Sequence, residues 1–154
     1  MANAIAILDS FYQAEAAYFA APDGQEDFGP FGATLSPNIL LEEPISVPYG
    51  GNFNGLDEFE DWSNIMRGLF STLAVQDIEY YEREGSNTVV ALGTVHVQLA
   101  ANGETGDFPV AEEFEVDLAN GVVSYLRPFN YDTAGVNKVL NFTPPAWAFD
   151  TTEL

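Results

Sequence analysis

The chain of 154 residues carries 24 acidic and 4 basic side chains, a formal charge of −20. That length suffices for one packed domain, and the 47% apolar and 14% aromatic content supplies the burial that a disordered chain lacks. A field this negative repels phosphates, which argues against nucleic acid or an anionic membrane surface as partner.

Cysteine is absent, so disulfides, thiolate metal sites and thiol nucleophiles are excluded. The opening stretch through Phe11 is apolar but lacks basic residues, and Asp9 interrupts it, unlike a cleaved secretory signal. No run approaches the roughly twenty apolar residues of a membrane helix. A soluble cytoplasmic protein without a membrane partner is the expectation. The single lysine, Lys138, fits either a saline habitat or a merely acidic protein.

Residues 3 to 21 read as a helix. Ile5, Leu8, Tyr12 and Phe19 form one stripe and Ile7, Phe11 and Tyr18 the next, a broad apolar face. Pro22-Asp23-Gly24 ends it, and residues 22 to 37 read as a loop rich in Gly and Pro. A strand follows over 38–47, broken by Pro48, then a turn at Gly50-Gly51 and a short extended piece over 52–54. Leu56, Phe59, Trp62, Met66, Leu69 and Leu73 recur at helical spacing, which predicts a helix over 56–72 with Asn54 as its cap.

From Ala74 the period becomes two. Strands are predicted at 75–84, 87–101, 108–118 and 122–131, the later ones joined at Asn102-Gly103 and Asn120-Gly121, strong hairpin signals. A brief helix is predicted over 132–140. The order is that of an α+β domain with helices packed on one face of a curved antiparallel sheet.

Strand parity singles out two acids. Ile39, Leu41, Glu43, Ile45 and Val47 share one face, and Phe108, Val110, Glu112, Phe114, Val116 and Leu118 share another. A carboxyl among apolar side chains loses hydration, which raises its pKa toward the range of proton exchange. Two such acids in one cavity divide the roles of base and donor. The alternatives are a dimer interface along either row, or a bulge that turns the Glu to solvent.

The arrangement resembles the nuclear-transport-factor-2-like (NTF2-like), cystatin-like α+β cone, and within it the SnoaL-like polyketide cyclases and ketosteroid isomerases. The matching stretches are Glu42-Glu43-Pro44, the run from Pro48 to Gly55, Asn120-Gly121-Val122-Val123, and Arg127 to Asp132. With the element order they cover roughly residues 3 to 140. The resemblance implies a single domain over 1–140 with 141–154 as an extended tail, an internal pocket, and a homodimer formed through the open face of the sheet. It places Glu43 at the catalytic base and Glu112 at the second acid, both Glu where the isomerases have Asp. The helix-borne Tyr of the isomerases has no direct match, because Ala16 holds its turn; Tyr12 or Tyr18 would substitute.

His96, the only histidine, shares a face with Val90, Leu92, Thr94 and Gln98. The cyclase resemblance gives it a proton-transfer role; a satisfied strand or interface histidine is the alternative. Asp132 matches a functional acid of related epoxide hydrolases, or caps the last helix. Tyr49, Trp62, Phe114 and Phe129 are candidates for lining a pocket, or for plain core packing. Arg127 reads as a structural ion pair. One His, no Cys and no calcium loop leave no metal ligand set, no Gly-rich loop suggests a nucleotide, and no cofactor is expected.

Two functions follow as expectations. One is a cofactor-free isomerase, cyclase or dehydratase acting on a small apolar carbonyl compound, polycyclic or polyketide-like. In it Glu43 removes a proton beside the carbonyl, while Glu112, aided by a Tyr or His96, stabilises the enolate. The other is a non-catalytic dimer that binds a small apolar ligand or a protein.

Overall fold

A computed structural model describes residues 3–146. In chain order they form α1 (Ala4–Ala20), α2 (Phe28–Gly32), β1 (Leu35–Glu43), β2 (Gly51–Asn54), α3 (Gly55–Leu69), β3 (Phe70–Glu82), β4 (Thr88–Leu99), β5 (Thr105–Asp117), β6 (Val122–Asn130) and α4 (Thr133–Val139). The elements follow the α+β order expected, with α2 inside the Gly/Pro-rich loop. Residues 147–154 of the anticipated tail lie outside the described residues.

The six strands make one sheet in the order β2-β1-β6-β5-β4-β3. It is mixed rather than wholly antiparallel, because β1 runs parallel to β6 while the other neighbours pair antiparallel. A parallel pair needs a long connection, and here that connection holds β2, α3 and the β3–β5 meander. Hairpin signals report only the meander. Both Asn-Gly pairs serve as read: Gly103 and Gly121 take φ of 73° and 70° at the β4–β5 and β5–β6 turns.

α1 begins where the Asn3 side chain accepts from the Ala6 N–H at 2.8 Å. Its buried face carries Leu8, Phe11, Tyr12, Glu15, Tyr18 and Phe19 and lies against β3. α3 packs on β1 through Phe59, Trp62 and Met66. Asn54 makes no side-chain cap bond; instead the Glu58 carboxylate, four residues on, reaches back and accepts from the Asn54 N–H at 2.6 Å, which satisfies a donor at the helix start. Arg67 ties the two helices together by donating to the carbonyls of Tyr18 (2.7 Å) and Ala21 (3.0 Å).

The sheet curves around these helices. β3 bulges between Gln76 and Glu79, with Asp77 at φ 54°, and a bulge bends and twists its strand. Gly93 of β4 lies beneath: a Cβ there would stand 2.8 Å from Val75 Cγ1 and 3.0 Å from the Gln76 carbonyl, so the close approach requires glycine. On the concave face Val89, Ala91, Val97, Phe114, Val116, Val123 and Leu126 are buried in one core with Phe11, Phe19, Phe31 and Phe59 of the helices. On β1, Ile39, Leu41 and Glu43 face inward, as parity requires, but the strand ends at Glu43 and the following turn exposes Ile45.

Candidate active site

Between the concave face and the helices lies a partly open cavity of about 50 Å³, lined mainly by apolar side chains that include Met66, Phe70, Leu73, Val95, Phe108 and Leu126. Three carboxyl groups enter it: Glu43 from the end of β1, Glu112 from mid-β5 and Glu15 from α1. All three are buried, at 6%, 7% and 4% exposure. No basic side chain lines the cavity. Among the described residues no group of His, Asp and Glu is arranged to hold a metal ion.

Burial acts on each acid in the same direction. Glu112 is pushed up from 4.5 to about 7 by desolvation, held back by the hydrogen bond it accepts from the Tyr12 hydroxyl. Glu43 stands well above the usual carboxylate range, through desolvation and then the neighbouring Glu112. Glu15 is raised likewise, by desolvation and then by Glu112 and Glu43. A donor to a carboxylate favours its charged form. The first negative charge in the cavity therefore falls on Glu112, while Glu15 and Glu43 remain protonated. Tyr12, buried beside Glu112, is itself raised and stays a donor.

Several polar atoms here lack a partner. Glu15 Oε1, Glu43 Oε2, Trp62 Nε1 and Asn130 Nδ2 are buried and make no hydrogen bond, although their residues all line the cavity. Native interiors leave few polar atoms in this state, and finding four around one space marks it as a place for a ligand or ordered water. The volume is room for a few water molecules and falls short of the roughly 300 Å³ at which pockets for drug-sized ligands begin. Even a single six-membered ring, which fits a cavity of about 150 Å³, needs the walls to move apart.

Of the residues singled out from the sequence, Glu43, Glu112, Tyr49 and Trp62 line this cavity, and Tyr12 reaches it through its bond to Glu112. The others lie elsewhere. His96 projects from the opposite, convex face, because β4 turns Val95 and Val97 inward; it contacts Asp107 across the ladder and cannot meet the carboxyls. Tyr18 donates to Asn64 at 3.1 Å outside the cavity lining. Phe114 is fully buried core, edge-on to Phe11 and Tyr12. Phe129 points outward from β6 and is half exposed. Asp132 caps α4 by accepting from the Gly135 N–H at 2.8 Å, and Arg127 pairs with Glu42 and Glu113 on the convex face.

Glu15 and Asn130 are cavity residues that the sequence reading passed over as functional groups. Their signals exist. Glu15 continues the stripe of Leu8 and Tyr12 toward Phe19 at helical spacing, and Asn130 follows Leu126 and Pro128 at period two.

No protein-family model and no curated protein sequence matches the chain. Solved structures do. An NTF2-like protein of unknown function from Burkholderia pseudomallei superposes with a TM-score of 0.74 at 21% identity, covering 91% of this chain and 98% of that one. TerC, crystallised with polyporic acid, gives 0.73 at 14% identity over 90% and 98%. A candidate polyketide cyclase from Pseudomonas putida gives 0.69 at 18% identity over 93% and 99%. Likeness at these identities speaks for architecture rather than activity. The chain has the NTF2-like fold.

Proposed function

We propose that this protein binds a small, neutral carbonyl compound in the cavity and moves protons on it, with Glu112 and Glu43 as the working pair. The observation that carries the reading is the burial of both carboxyls in one apolar cavity, only one of them supplied with a donor. Glu112, which accepts from Tyr12, is the base. Glu43, unpartnered at Oε2, is the acid, the reverse of the order expected from the sequence.

In the forward step the Glu112 carboxylate takes the α-proton and the C–H electron pair becomes the new carbon–carbon π bond. The carbonyl π pair moves to oxygen, which takes the Glu43 proton and gives an enol. The return step hands the Glu112 proton to the same or another carbon, while Glu43 recovers its own from the enol. Isomerisation and aldol or dehydration chemistry share this enol. A neighbour of the same fold crystallised with an organic ligand, and others described as candidate cyclases, support a pocket function.

The test is α-deuterium exchange of cyclohexanone and related small cyclic ketones in D2O, followed by NMR. Wild type should accelerate exchange. Glu112→Gln should lose on the order of a hundredfold or more, and Glu43→Gln should lose rate while the fold persists. Full exchange in Glu112→Gln and Glu43→Gln alike rejects the mechanism.

A further inference from the structure

The cavity has two polar walls, and proton transfer by Glu112 and Glu43 uses only one. Those two acids and Asn130 belong to the sheet. The helical wall presents Glu15 from α1 and Trp62 from α3, both lining the same cavity. Trp62 is 3% exposed and its Nε1 has no partner. Indole nitrogen is a donor only, so that atom calls for an acceptor, which a ligand in the cavity can bring. Glu15 Oε1 is equally unpartnered, and no side chain in the cavity supplies a cation to ionise it. An acid held neutral offers an O–H.

A buried glutamic acid on the core face of a helix costs several kcal/mol relative to an apolar residue of its size. Nothing in the packing requires it: its neighbours on that stripe, Leu8, Tyr12 and Phe19, fill the core without further polar partners for it. Two donors on the helical elements, added to a base and an acid on the sheet, suit a ligand with a second acceptor oxygen. A carboxylate or phosphate ligand is disfavoured, because it would join the charge of Glu112 in a space without a cation.

We propose that Glu15 and Trp62 form a second oxygen subsite, so that the ligand is a small uncharged compound with two acceptor oxygens, a diketone or hydroxyketone rather than a monoketone. This rests on the proton-transfer reading for its first oxygen and adds the second. Glu15 touches the second oxygen as a neutral donor, and Trp62 donates to it through Nε1.

The experiment compares cyclohexane-1,4-dione with cyclohexanone, of the same ring size and differing in one acceptor, by NMR titration of the full chain. The indole N–H signal of Trp62 is identified by its loss in Trp62→Phe. The dione should bind about tenfold more tightly, the worth of one added buried hydrogen bond, and should shift the Trp62 signal where cyclohexanone does not. Glu15→Leu should bring the two affinities together. Glu15→Gln, which keeps an N–H donor, should preserve most of the preference. Equal affinities in wild type, or a preference untouched by Glu15→Leu, overturn the subsite. So does tighter binding of cyclohexylammonium than of the dione that persists in Glu112→Gln and is lost in Glu15→Leu, which would make Glu15 a carboxylate. Glu15→Leu replaces a buried acid with a hydrocarbon, so its fold is expected to persist, as thermal unfolding will show. Cyclohexanone exchange catalysed by Glu112 is read separately, so failure of the subsite and failure of the proton-transfer mechanism leave different records.

Discussion

The Tyr12 hydroxyl, on α1, donates to Glu112 Oε2, on β5, across 100 positions of sequence. The bond joins the helix to the middle of the sheet and sets the order in which the cavity acids ionise. A donor aimed at one carboxyl of three stabilises charge at that one, and the others then ionise against it.

Tyr12→Phe removes the donor and nothing else of comparable size. Glu112 should then titrate above its value of about 7, because desolvation is left without its counterweight. A hydrogen bond to a charged group contributes about 1.5–3 kcal/mol, or roughly one to two pH units at about 1.4 kcal/mol each. At neutral pH the base is then mostly protonated, so exchange should fall about tenfold and recover as pH is raised. A carboxyl-carbon NMR titration of Glu112 checks the shift directly. An unchanged titration in Tyr12→Phe removes Tyr12 from this role.

The three acids also predict how stability depends on pH. Each has a folded pKa above its ordinary 4.5, so the folded chain keeps protons that the unfolded chain releases. Their stabilising protonation is complete below about pH 4.5 and is lost as pH rises. For Glu112 the loss runs to about pH 7, roughly 3 kcal/mol at about 1.4 kcal/mol per unit; Glu15 and Glu43 continue it above. Glu42 runs the other way: Tyr125 and Arg127 hold it low, so acid protonates it and removes their contribution. Maximum stability is expected in mildly acidic solution. Urea unfolding should show a higher midpoint at pH 5 than at pH 8, and Glu15→Leu should narrow the gap by stabilising the chain at pH 8. A midpoint that is level or rises between these pH values contradicts the burial of the acids.

The strand acids were legible because period two is unambiguous: Glu43 follows Ile39 and Leu41, and Glu112 sits between Val110 and Phe114. Glu15 was harder. A helix face tolerates a glutamate at its margin, and the long side chain can reach water from there, so its spacing alone does not announce burial. Period two places His96 on one face with Val90 and Leu92, yet which face of β4 the helices cover depends on the curvature imposed by the β3 bulge at Gln76 and Glu79. The parallel pairing of β1 with β6 leaves no local mark, since its partners are far apart in sequence. Phe129 and Ile45 show the limit of composition: both are apolar, and both face solvent.

That outward face carries the remaining prediction. Val90, Leu92, Phe129 and Tyr81 lie on the convex side of β4, β6 and β3, each 37–54% exposed. Neighbouring apolar side chains on an open sheet face favour burial against a second surface, and a self-complementary pairing of two chains is the simplest one. The Arg127 contacts to Glu42 and Glu113 lie on the same side and suit a polar rim. A dimer is therefore expected at micromolar concentration, with about 800 Å² covered on each chain for a stable pair. Sedimentation velocity should give the mass of two chains. Val90→Glu with Leu92→Glu, which add charge to the outer face without entering the cavity, should give the mass of one and leave ketone exchange in place. A wild-type chain that sediments as a monomer across that range would mean that this face meets water or a different partner.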